Sequence, residues 1–384
     1  MLFQPPELDL VDARVLDEVS EMREELASVL RVPRRWVGTL RRNALARAIR
    51  GSNSIEGINV EIDDADAALD GDAPLDASER TFAEVEGYRQ ALGYVLAMAA
   101  DPHFVADAAS LRSMHFMMLS HDLSKSPGQY RRSEIYVQDE ESGDQVYVGP
   151  DPDNVPQLMT ELGAALTASA GMPPEVAAAM AHLNLVMIHP FRDGNGRMAR
   201  AVQTLMLARS GIGQPEFASL EEWLGANTDD YYAVLAATGR GVWAPENDAG
   251  LWLSFMLRAH HLQAQTTKQR FERAAETYRL LDEVVAQTRV PERSVDSLFM
   301  AGLGYRIRRA PYARQLGLDA RTATRDLAAL AEQGLLVARG ETRGRHYVAG
   351  PRLEAVRDAV GRGPRVVDPN PDVVARLAPY RRVR

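Results

Sequence analysis

The feature that most constrains this fold is an apolar segment that stops at a proline and is followed by a short polar loop. Residues 177–188 read AAAMAHLNLVMI, which is typical of a helix, and Pro190 cannot continue that helix. Gly194 and Gly196 in the loop allow the backbone to approach a ligand closely. A second helix is predicted from about Gly196. The segment therefore predicts two consecutive helices joined by a loop that suits ligand binding.

The loop and the start of the second helix, HPFRDGNGRMAR at 189–200, combine residue types that suit nucleotide chemistry. Backbone N–H groups at a helix start bind anions, and Arg197 and Arg200 share a helix face that suits a polyphosphate. Asp193 supplies one carboxylate for a Mg²⁺ ion that is otherwise held by phosphates and water. His189 can accept a proton from an attacking hydroxyl. Each residue alone fits an ordinary polar helix–helix loop, but together they favour a nucleotide site.

Two nearby residues are expected to be structural. Phe191 is apolar between polar neighbours, so it is predicted to anchor the loop in the core. His182 lies on the preceding helix and is predicted to be a structural hydrogen-bonding residue and not a catalyst.

Residues 189–200 match the signature HPFx[DE]GNGRxxR at every position, so the chain resembles the Fic family. The resemblance extends over about residues 1–290 and implies a mainly α fold, a Fic helical core with a small β-hairpin flap. It also implies a protein adenylyltransferase, which moves AMP from ATP to a Tyr, Thr or Ser hydroxyl of a target protein with the help of Mg²⁺ or Mn²⁺. The Doc kinase branch of the family lacks the second motif glycine and the arginine pattern found in this sequence, and this difference favours AMP transfer.

The resemblance assigns a role to each residue of the loop. It implies that His189 is the general base and that Asp193 binds the metal. The phosphate cradle and the residues that hold the outer phosphates are Gly194, Asn195, Gly196, Arg197 and Arg200.

Residues 52–57, SNSIEG, match the family's inhibitory pattern [ST]xxxE[GN] through Ser52, Glu56 and Gly57. The match implies that Glu56 reaches Arg200 and occupies the charge meant for the γ-phosphate. Gly57 is expected to end the helix and to let Glu56 project. Taken alone, SxxxEG also fits an ordinary helix end.

Two further segments resemble the family less specifically. A β-hairpin is predicted at 129–148 around an EESGD turn, where the family has a flap on which a target segment docks as a strand; a plain surface hairpin is the alternative. Tyr231 and Tyr232 stand where related proteins have a tyrosine pair near the adenine, and aromatic core packing is the alternative. Gly239 departs from an asparagine found in some relatives. The predicted docking edge consists of Glu134, Ile135, Tyr136 and Val137.

The chain is predicted to have five segments. They are an N-terminal helical region at 1–100, a catalytic domain at 101–255, a linker helix at 256–290, a winged helix-turn-helix at 291–350 and a basic tail at 351–384. The winged unit is inferred from a turn at Gly317, a helix from about Ala320 and strands at 335–339 and 346–348; a helical protein-interaction module is the alternative. Other helices are predicted at about 10–31, 40–56, 79–100, 107–119, 154–169, 174–188, 196–209, 220–238 and 249–288.

Charge is distributed unevenly along the chain. Residues 291–384 contain 18 arginines and 10 acidic residues, a net of +8, while the whole chain carries −9. The basic part permits DNA contact and the acidic part argues against it. Asp326 lies close to the predicted DNA-reading residues and weakens that prediction. Those residues are Arg321, Thr322, Thr324 and Arg325 on the helix, with Arg343 and Arg345 on the wing.

Several classes of protein are excluded or disfavoured. The chain has no cysteine, so disulfides and thiolate metal sites are excluded, and it has no GxxxxGK[ST] sequence. No long apolar run predicts a membrane span, and the first residues lack the order of a secretory signal, so a cytoplasmic protein is expected. Removal of AMP at the same site, a nucleotide-sensing DNA regulator, self-modification and a homodimer stay open as alternatives.

Overall fold

The computed structural model describes residues 1–138, 145–169, 171–210, 215–288, 290–341 and 344–381. The chain is mainly helical, as predicted. The helices in chain order are α1 (Leu10–Leu30), α2 (Trp36–Ile55), α3 (Ile62–Asp70), α4 (Glu79–Ala99), α5 (Ala108–Leu119), α6 (Val155–Ala168), α7 (Pro174–Ile188), α8 (Asn195–Arg209), α9 (Pro215–Ala218), α10 (Glu221–Ala226), α11 (Thr228–Gly239), α12 (Gly250–Ala286), α13 (Val295–Gly302), α14 (Arg309–Gln315), α15 (Ala320–Glu332), α16 (Pro351–Val360) and α17 (Asp372–Leu377). The strands are β1 (Tyr136–Gln138), β2 (Gln145–Val148), β3 (Leu336–Arg339) and β4 (His346–Ala349).

The chain divides into two compact units whose boundaries differ from the predicted segments. The first consists of Met1–Val29, Ala44–Gln265 and Val367–Arg384, and the second of Leu30–Asn43 and Thr266–Val366. The helices α2 and α12 therefore contribute residues to both units.

The end of the chain is not a separate basic tail. Val373 and Leu377 of α17 are buried in the apolar core of the first unit, because their four-residue spacing places them on one helix face. Arg381 adds a two-bond ion pair to Asp230 of α11.

The first unit is built around α7, which is apolar on all sides. One face of α7, including Leu185 and Ile188, belongs to a core with α4, α5 and α8, and the opposite face, including Leu183, belongs to a core with α11 and α12. A helix with apolar residues all around is stable only when it is buried on every side, which explains the run at 177–188.

Local signals set several element boundaries. Asp107 caps α5 and forms a reciprocal capping box with Ser110, as the sequence predicted. The predicted helix at 220–238 is two helices, α10 and α11, because Asn227 leaves the helical conformation and donates its side-chain N–H to the Trp223 carbonyl. The sequence interpretation missed α3, α9, α13, α16 and α17.

The second unit contains α13, α14, α15, β3 and β4 in that order. Gly317 has a φ of +62° in the turn before α15, and Asp319 caps α15 by accepting the N–H groups of Arg321 and Thr322. β3 pairs antiparallel with β4, and Tyr347 of β4 also pairs with Ile307. The helix α15 and the strands β3 and β4 lie where the sequence predicted them, whereas no helix was predicted at α13. Among the described helices, none is both long enough and apolar enough to cross a membrane.

Candidate active site

The loop between α7 and α8 is held in one shape by its own residues. His189 ends α7 in the left-handed conformation, with a φ of +50°, and Phe191 is fully buried, as predicted. Asn195 accepts the Phe191 N–H and donates to the Phe191 carbonyl, both at 2.9 Å. Gly194, with a φ of +76°, directly precedes α8. The loop therefore presents the first N–H groups of α8 at a fixed place.

A buried histidine from α5 braces the same loop. His115 stacks on Phe191 with ring centroids 3.7 Å apart. The Gly128 N–H donates to His115 Nδ1, so the ring proton is on Nε2, which donates to the Asp193 carbonyl at 2.9 Å. Burial lowers the pKa of His115 to about 4, so the ring stays neutral. The sequence interpretation missed this residue.

His189 has the tautomer that a general base requires. Its Nδ1 lies 3.1 Å from the Val186 carbonyl, and a carbonyl only accepts, so the proton is on Nδ1 and the Nε2 lone pair is available. Within the described part of the chain, Nε2 has no hydrogen-bond partner. Burial lowers the pKa of His189, which keeps the ring neutral near pH 7.

Arg131 joins this loop to the base of the hairpin. Its Nε donates to the His189 carbonyl at 2.9 Å and its backbone N–H to the Pro190 carbonyl at 2.9 Å. Its guanidinium also donates to the carbonyls of Ser133 and Pro150. Nothing in the sequence pattern singled out this residue, because all of its partners are backbone carbonyls.

Asp193 and Arg197 are connected through a chain of charges. Arg197 binds Glu84 of α4 at 2.7 Å, and Lys125 binds both Glu84 at 2.5 Å and Asp193 at 2.8 Å. Burial alone would raise the pKa of Glu84, but hydrogen bonds from Lys125 and Arg197 outweigh it and lower that pKa to about 2. His121 also contacts Glu84. Neither Glu84 nor Lys125 was predicted from the sequence.

Arg200 is buried and contacts the predicted inhibitory segment. Its Nη2 lies 2.7 Å from Glu56 Oε1, and it donates to the side chain and the carbonyl of Ser52 at 2.8 and 2.9 Å. A Cβ atom at Gly196 would overlap with Glu56 Oε1, so this glycine leaves the space that the carboxylate occupies. The Nη1 of Arg200 has no hydrogen-bond partner in the described residues.

The end of α2 has the shape that the sequence predicted. The helix stops at Ile55, and Gly57 has a φ of +73°, a conformation that glycine adopts without strain. Glu56 lies between them with its side chain 26% exposed. The placement of these residues agrees with the predicted contact between Glu56 and Arg200.

The two adjacent tyrosines have different surroundings. Tyr231 is buried and donates to His182 Nε2 at 2.8 Å, while His182 Nδ1 binds Gln203, so His182 is structural, as predicted. Tyr232 is 36% exposed and donates to the Ile55 carbonyl at 3.0 Å. Contact of this pair with adenine stays a prediction.

Gly239 lies against packed side chains. A Cβ atom there would stand 3.2 Å from Met187 and 3.3 Å from Tyr147. The asparagine of some relatives therefore does not fit this position unless those side chains move.

The hairpin has one strand that is paired on both sides and one that is not. β2 pairs with β1, and Val148 also bonds with Gly241 and Trp243 on its other side. Among the described residues, β1 pairs with β2 alone. Glu134 and Tyr136 are exposed and Ile135 is half-buried. The Val137 side chain and the 139–144 turn lie outside the described residues.

The sequence profile of the Fic/DOC family matches residues 106–207, which include α5, the hairpin and the whole of the loop. The chain contains a Fic domain.

Curated proteins with similar sequences carry the same family name. One is "Protein adenylyltransferase Fic" of Nematostella vectensis, 27% identical over 249 residues, which cover 62% of this chain and 53% of that protein. Another, with the same name, is from Culex quinquefasciatus, 28% identical over 204 residues, which cover 52% of this chain and 39% of that protein. This chain thus spans about half or less of the length of these relatives.

Solved structures share the fold of the Fic domain and of much of the chain. A Fic family protein from Desulfovibrio desulfuricans G20 is 23% identical with a TM-score of 0.58, over 94% of this chain and 99% of that one. Fic-1 from C. elegans is 22% identical with a TM-score of 0.53, over 69% of this chain and 74% of that one. At these identities the likeness concerns the fold alone.

The donors in the Fic domain fit a metal that arrives with a nucleotide. Asp193 is the one carboxylate of the loop, and its side chain is 39% exposed. No group of three or more histidine or acidic side chains forms a metal cage within the described ranges. A single carboxylate suits Mg²⁺ that takes its other ligands from phosphates and water.

Proposed function

We propose that the Fic domain transfers AMP from ATP to a Ser, Thr or Tyr hydroxyl of a target protein, and that Glu56 inhibits this transfer. The observation that carries the proposal is the arrangement of the loop. Within the part of the chain that the structure describes, the neutral His189 at one end of it has an Nε2 without a hydrogen-bond partner, and the buried Arg200 behind the first turn of α8 has an N–H group without one.

The proposed reaction uses the loop as follows. The acceptor hydroxyl gives its proton to His189 Nε2 as its oxygen forms a bond to the α-phosphorus. The bond from that phosphorus to the oxygen bridging to the β-phosphate breaks, and pyrophosphate leaves. The first N–H groups of α8, together with Arg197 and Arg200, hold the phosphates. Asp193 would hold a Mg²⁺ ion, which would supply charge neutralisation at the phosphates.

The inhibition is electrostatic and steric. Glu56 gives Arg200 the anionic partner that the γ-phosphate would otherwise supply, and its carboxylate lies against Gly196 in the first turn of α8. ATP that binds beside Glu56 cannot seat its γ-phosphate on Arg200, so its α-phosphate is displaced from in-line attack.

The edge on which the target docks is proposed to be β1 together with the two residues before it, Glu134 and Ile135. β2 is paired on both sides, while β1 has a partner on one side within the described residues, and an extended peptide adds to such an edge through main-chain hydrogen bonds. The names of the curated relatives support the same reaction class.

The test uses labelled nucleotide donors and three versions of the chain. Glu56→Gly is incubated with a cell lysate and α-³²P-labelled ATP, GTP or UTP, or labelled CDP-choline, beside wild type and the Glu56→Gly, His189→Ala double variant. We expect a labelled protein band with ATP that Glu56→Gly strengthens and His189→Ala removes. Labelling that survives His189→Ala, or that requires another donor, would overturn the proposal.

Removal of AMP is a second candidate for the same site. The Glu56 side chain is 26% exposed while one of its oxygens binds Arg200, so the other can orient a water molecule. A target that carries AMP, incubated with wild type and with Glu56→Gly, tests this candidate. Release of AMP by wild type and not by the variant supports it, and release by neither excludes it.

DNA binding by residues 291–350 is the function proposed for the second unit. The order of its helices and strands, which is that of a winged helix, supports this proposal. Arg321, Thr324 and Arg325 are exposed on α15. The negative charge of Asp326 does not oppose DNA contact by these residues, because Asp326 is buried and pairs with Arg293 at 2.8 Å. Thr322 bonds to Asp319 in the helix cap.

The wing is described in part: Arg345 is exposed, and Arg343 lies outside the described residues. A gel-shift titration with duplex DNA at several salt concentrations tests this function. Arg321→Gln with Arg325→Gln should weaken binding and reduce its salt dependence. Equal binding by the double variant would move any DNA contact away from α15.

A further inference from the structure

The chain has two lysines, and one of them lies between the acidic side chains of the active site. Lys125 Nζ is 2.8 Å from Asp193 Oδ2 and 2.5 Å from Glu84 Oε1. The lysine ends a short 3-10 turn, Leu123–Lys125, which Ser126 closes in the left-handed conformation. Its side chain is 21% exposed. The ammonium group is therefore held at a defined place and is not a free surface charge.

The two carboxylates that hold Lys125 are themselves fixed. Arg197 binds the other oxygen of Glu84, Oε2, and His121 contacts Oε1, the oxygen that Lys125 also binds. Asp193 Oδ1 accepts the Gly194 N–H at 2.6 Å, which leaves Oδ2 as the oxygen available to bind a cation. Lys125 Nζ binds that oxygen.

We propose that Lys125 is a positioning residue that competes with the divalent metal for Asp193 Oδ2. This inference rests on the proposed role of Asp193 as the metal ligand. The ammonium holds the carboxylate in place while the site has no metal. Metal binding requires Lys125 to give up Asp193, and Glu84 then retains the ammonium.

The charges of the cluster explain why this competition matters. Asp193 and Glu84 carry two negative charges, and Lys125 and Arg197 carry two positive ones, so the cluster is neutral as it stands. A divalent ion alone would add two positive charges a few ångströms from an ammonium, and this repulsion is substantial in a partly buried site. A polyphosphate brings the negative charge that offsets the ion. Lys125 thereby favours entry of the metal with the nucleotide over entry of the metal alone.

The test is calorimetric binding of ADP, which lacks the γ-phosphate and so does not compete with Glu56. ADP affinity is measured in EDTA and in saturating Mn²⁺, and the ratio of the two affinities gives the gain from the metal. Lys125→Met removes the charge and keeps much of the length, while Lys125→Arg keeps the charge. Lys268→Met, which replaces the other lysine in the second unit, is the matched control.

We expect Lys125→Met to increase the gain from Mn²⁺ by about tenfold, the effect of one charge interaction in partly solvated surroundings. Lys125→Arg and Lys268→Met should leave the gain within about twofold of wild type. Lys125→Gln is a second neutral variant in case Lys125→Met fails to fold, which ADP binding in EDTA reveals. An unchanged or smaller gain in the neutral variants, or an equal rise in Lys125→Arg, would overturn the inference.

Asp193→Asn separates this inference from the proposed metal site. If Asp193→Asn leaves the gain from Mn²⁺ intact, Asp193 is not the metal ligand, and both the metal role and the competition fail. If Asp193→Asn abolishes the gain and the neutral Lys125 variants do not raise it, the metal role stands and the competition alone fails.

Discussion

The two arginines of the Fic loop have different kinds of acidic partner. Arg197 pairs with Glu84, which lies inside α4, is 9% exposed and also binds two other basic side chains. Arg200 pairs with Glu56, which follows the last residue of α2 and is 26% exposed. One carboxylate lies among several basic side chains inside a helix, while the other contacts one arginine at a helix end.

This difference indicates which partner can leave. Removal of Glu84 would strand the buried Arg197 charge beside Lys125, and a buried unpaired charge is costly. Removal of Glu56 leaves Arg200 bonded to both oxygens of Ser52 and exposes it to an incoming phosphate. Glu84 is thus expected to stay with Arg197, whereas Glu56 can leave Arg200, which is the point at which the proposed control acts.

The largest expected effect is on stability and comes from Glu84. Glu84→Ala should lower the free energy of unfolding by about 3–5 kcal/mol, the usual cost of breaking a buried ion pair. Glu56→Ala should cost less, about 1.5–3 kcal/mol, because Glu56 is partly solvated and its contact with Arg200 is a single charge-assisted hydrogen bond. Urea unfolding followed by circular dichroism measures both. Equal costs for the two substitutions would contradict the comparison.

The pKa of Glu84 provides a second test of the same difference. Its folded pKa is about 2 and its ordinary value is 4.5, so the unfolded chain binds more protons between these values. The stabilisation is therefore fully present above about pH 4.5 and is lost as pH falls through about 2. The difference in unfolding free energy between wild type and Glu84→Gln should shrink over this range by up to about 3 kcal/mol. Urea titrations from pH 7 downward would show it, and a difference that does not depend on pH would exclude the proposed cause.

The next effect is on activity and comes from Glu56. Glu56→Gly should raise AMP transfer by about 10- to 100-fold, because the lost contact is a charge-assisted hydrogen bond of roughly 1.5–3 kcal/mol. Incorporation of label from ATP measures the rate. If the variant is no faster than wild type with any of several donors, Glu56 is not inhibitory and the SxxxEG sequence is a helix end.

Arg200→Ala is the control that ties this effect to the ion pair. It should be inactive with or without Glu56, because the γ-phosphate has then lost its partner. The double variant should resemble Arg200→Ala and not Glu56→Gly. An active double variant would mean that Glu56 acts through some other group.

Much of the fold could be predicted because its signals are local. The cap at Asp107, the apolar run of α7 and the glycine before α15 each act within a few residues of themselves. The helix α3, IDDADAALD, has nine residues and alanine at most of its apolar positions, so its helical pattern is weak. The helix α17 lies in a region read as a basic tail, and the burial of Val373 depends on contacts far away in the sequence.

The site shows the same division between local and distant signals. The loop from His189 to Arg200 and the Glu56 segment are contiguous, so their residue types could be read as a pattern. Glu84, which pairs with Arg197 from 113 positions away, belongs to a helix with no signature of its own. Lys125 and Arg131 likewise acquire their contacts only through the folded core.

The smallest expected effect concerns the hydroxyl of Tyr232, which holds the last residue of α2 next to Glu56. This hydroxyl donates to the Ile55 carbonyl at 3.0 Å, and a neutral hydrogen bond of this kind contributes about 0.5–1.5 kcal/mol. Tyr232→Phe should therefore raise AMP transfer by roughly two- to tenfold, because the end of α2 is released more often. In the Glu56→Gly background the same change should have no such effect, since no inhibitory carboxylate is left to release. Tyr380→Phe, at another partly exposed tyrosine, is the control for loss of a hydroxyl. If Tyr232→Phe instead raises the KM for ATP equally in both backgrounds, the hydroxyl serves nucleotide binding and does not restrain Glu56.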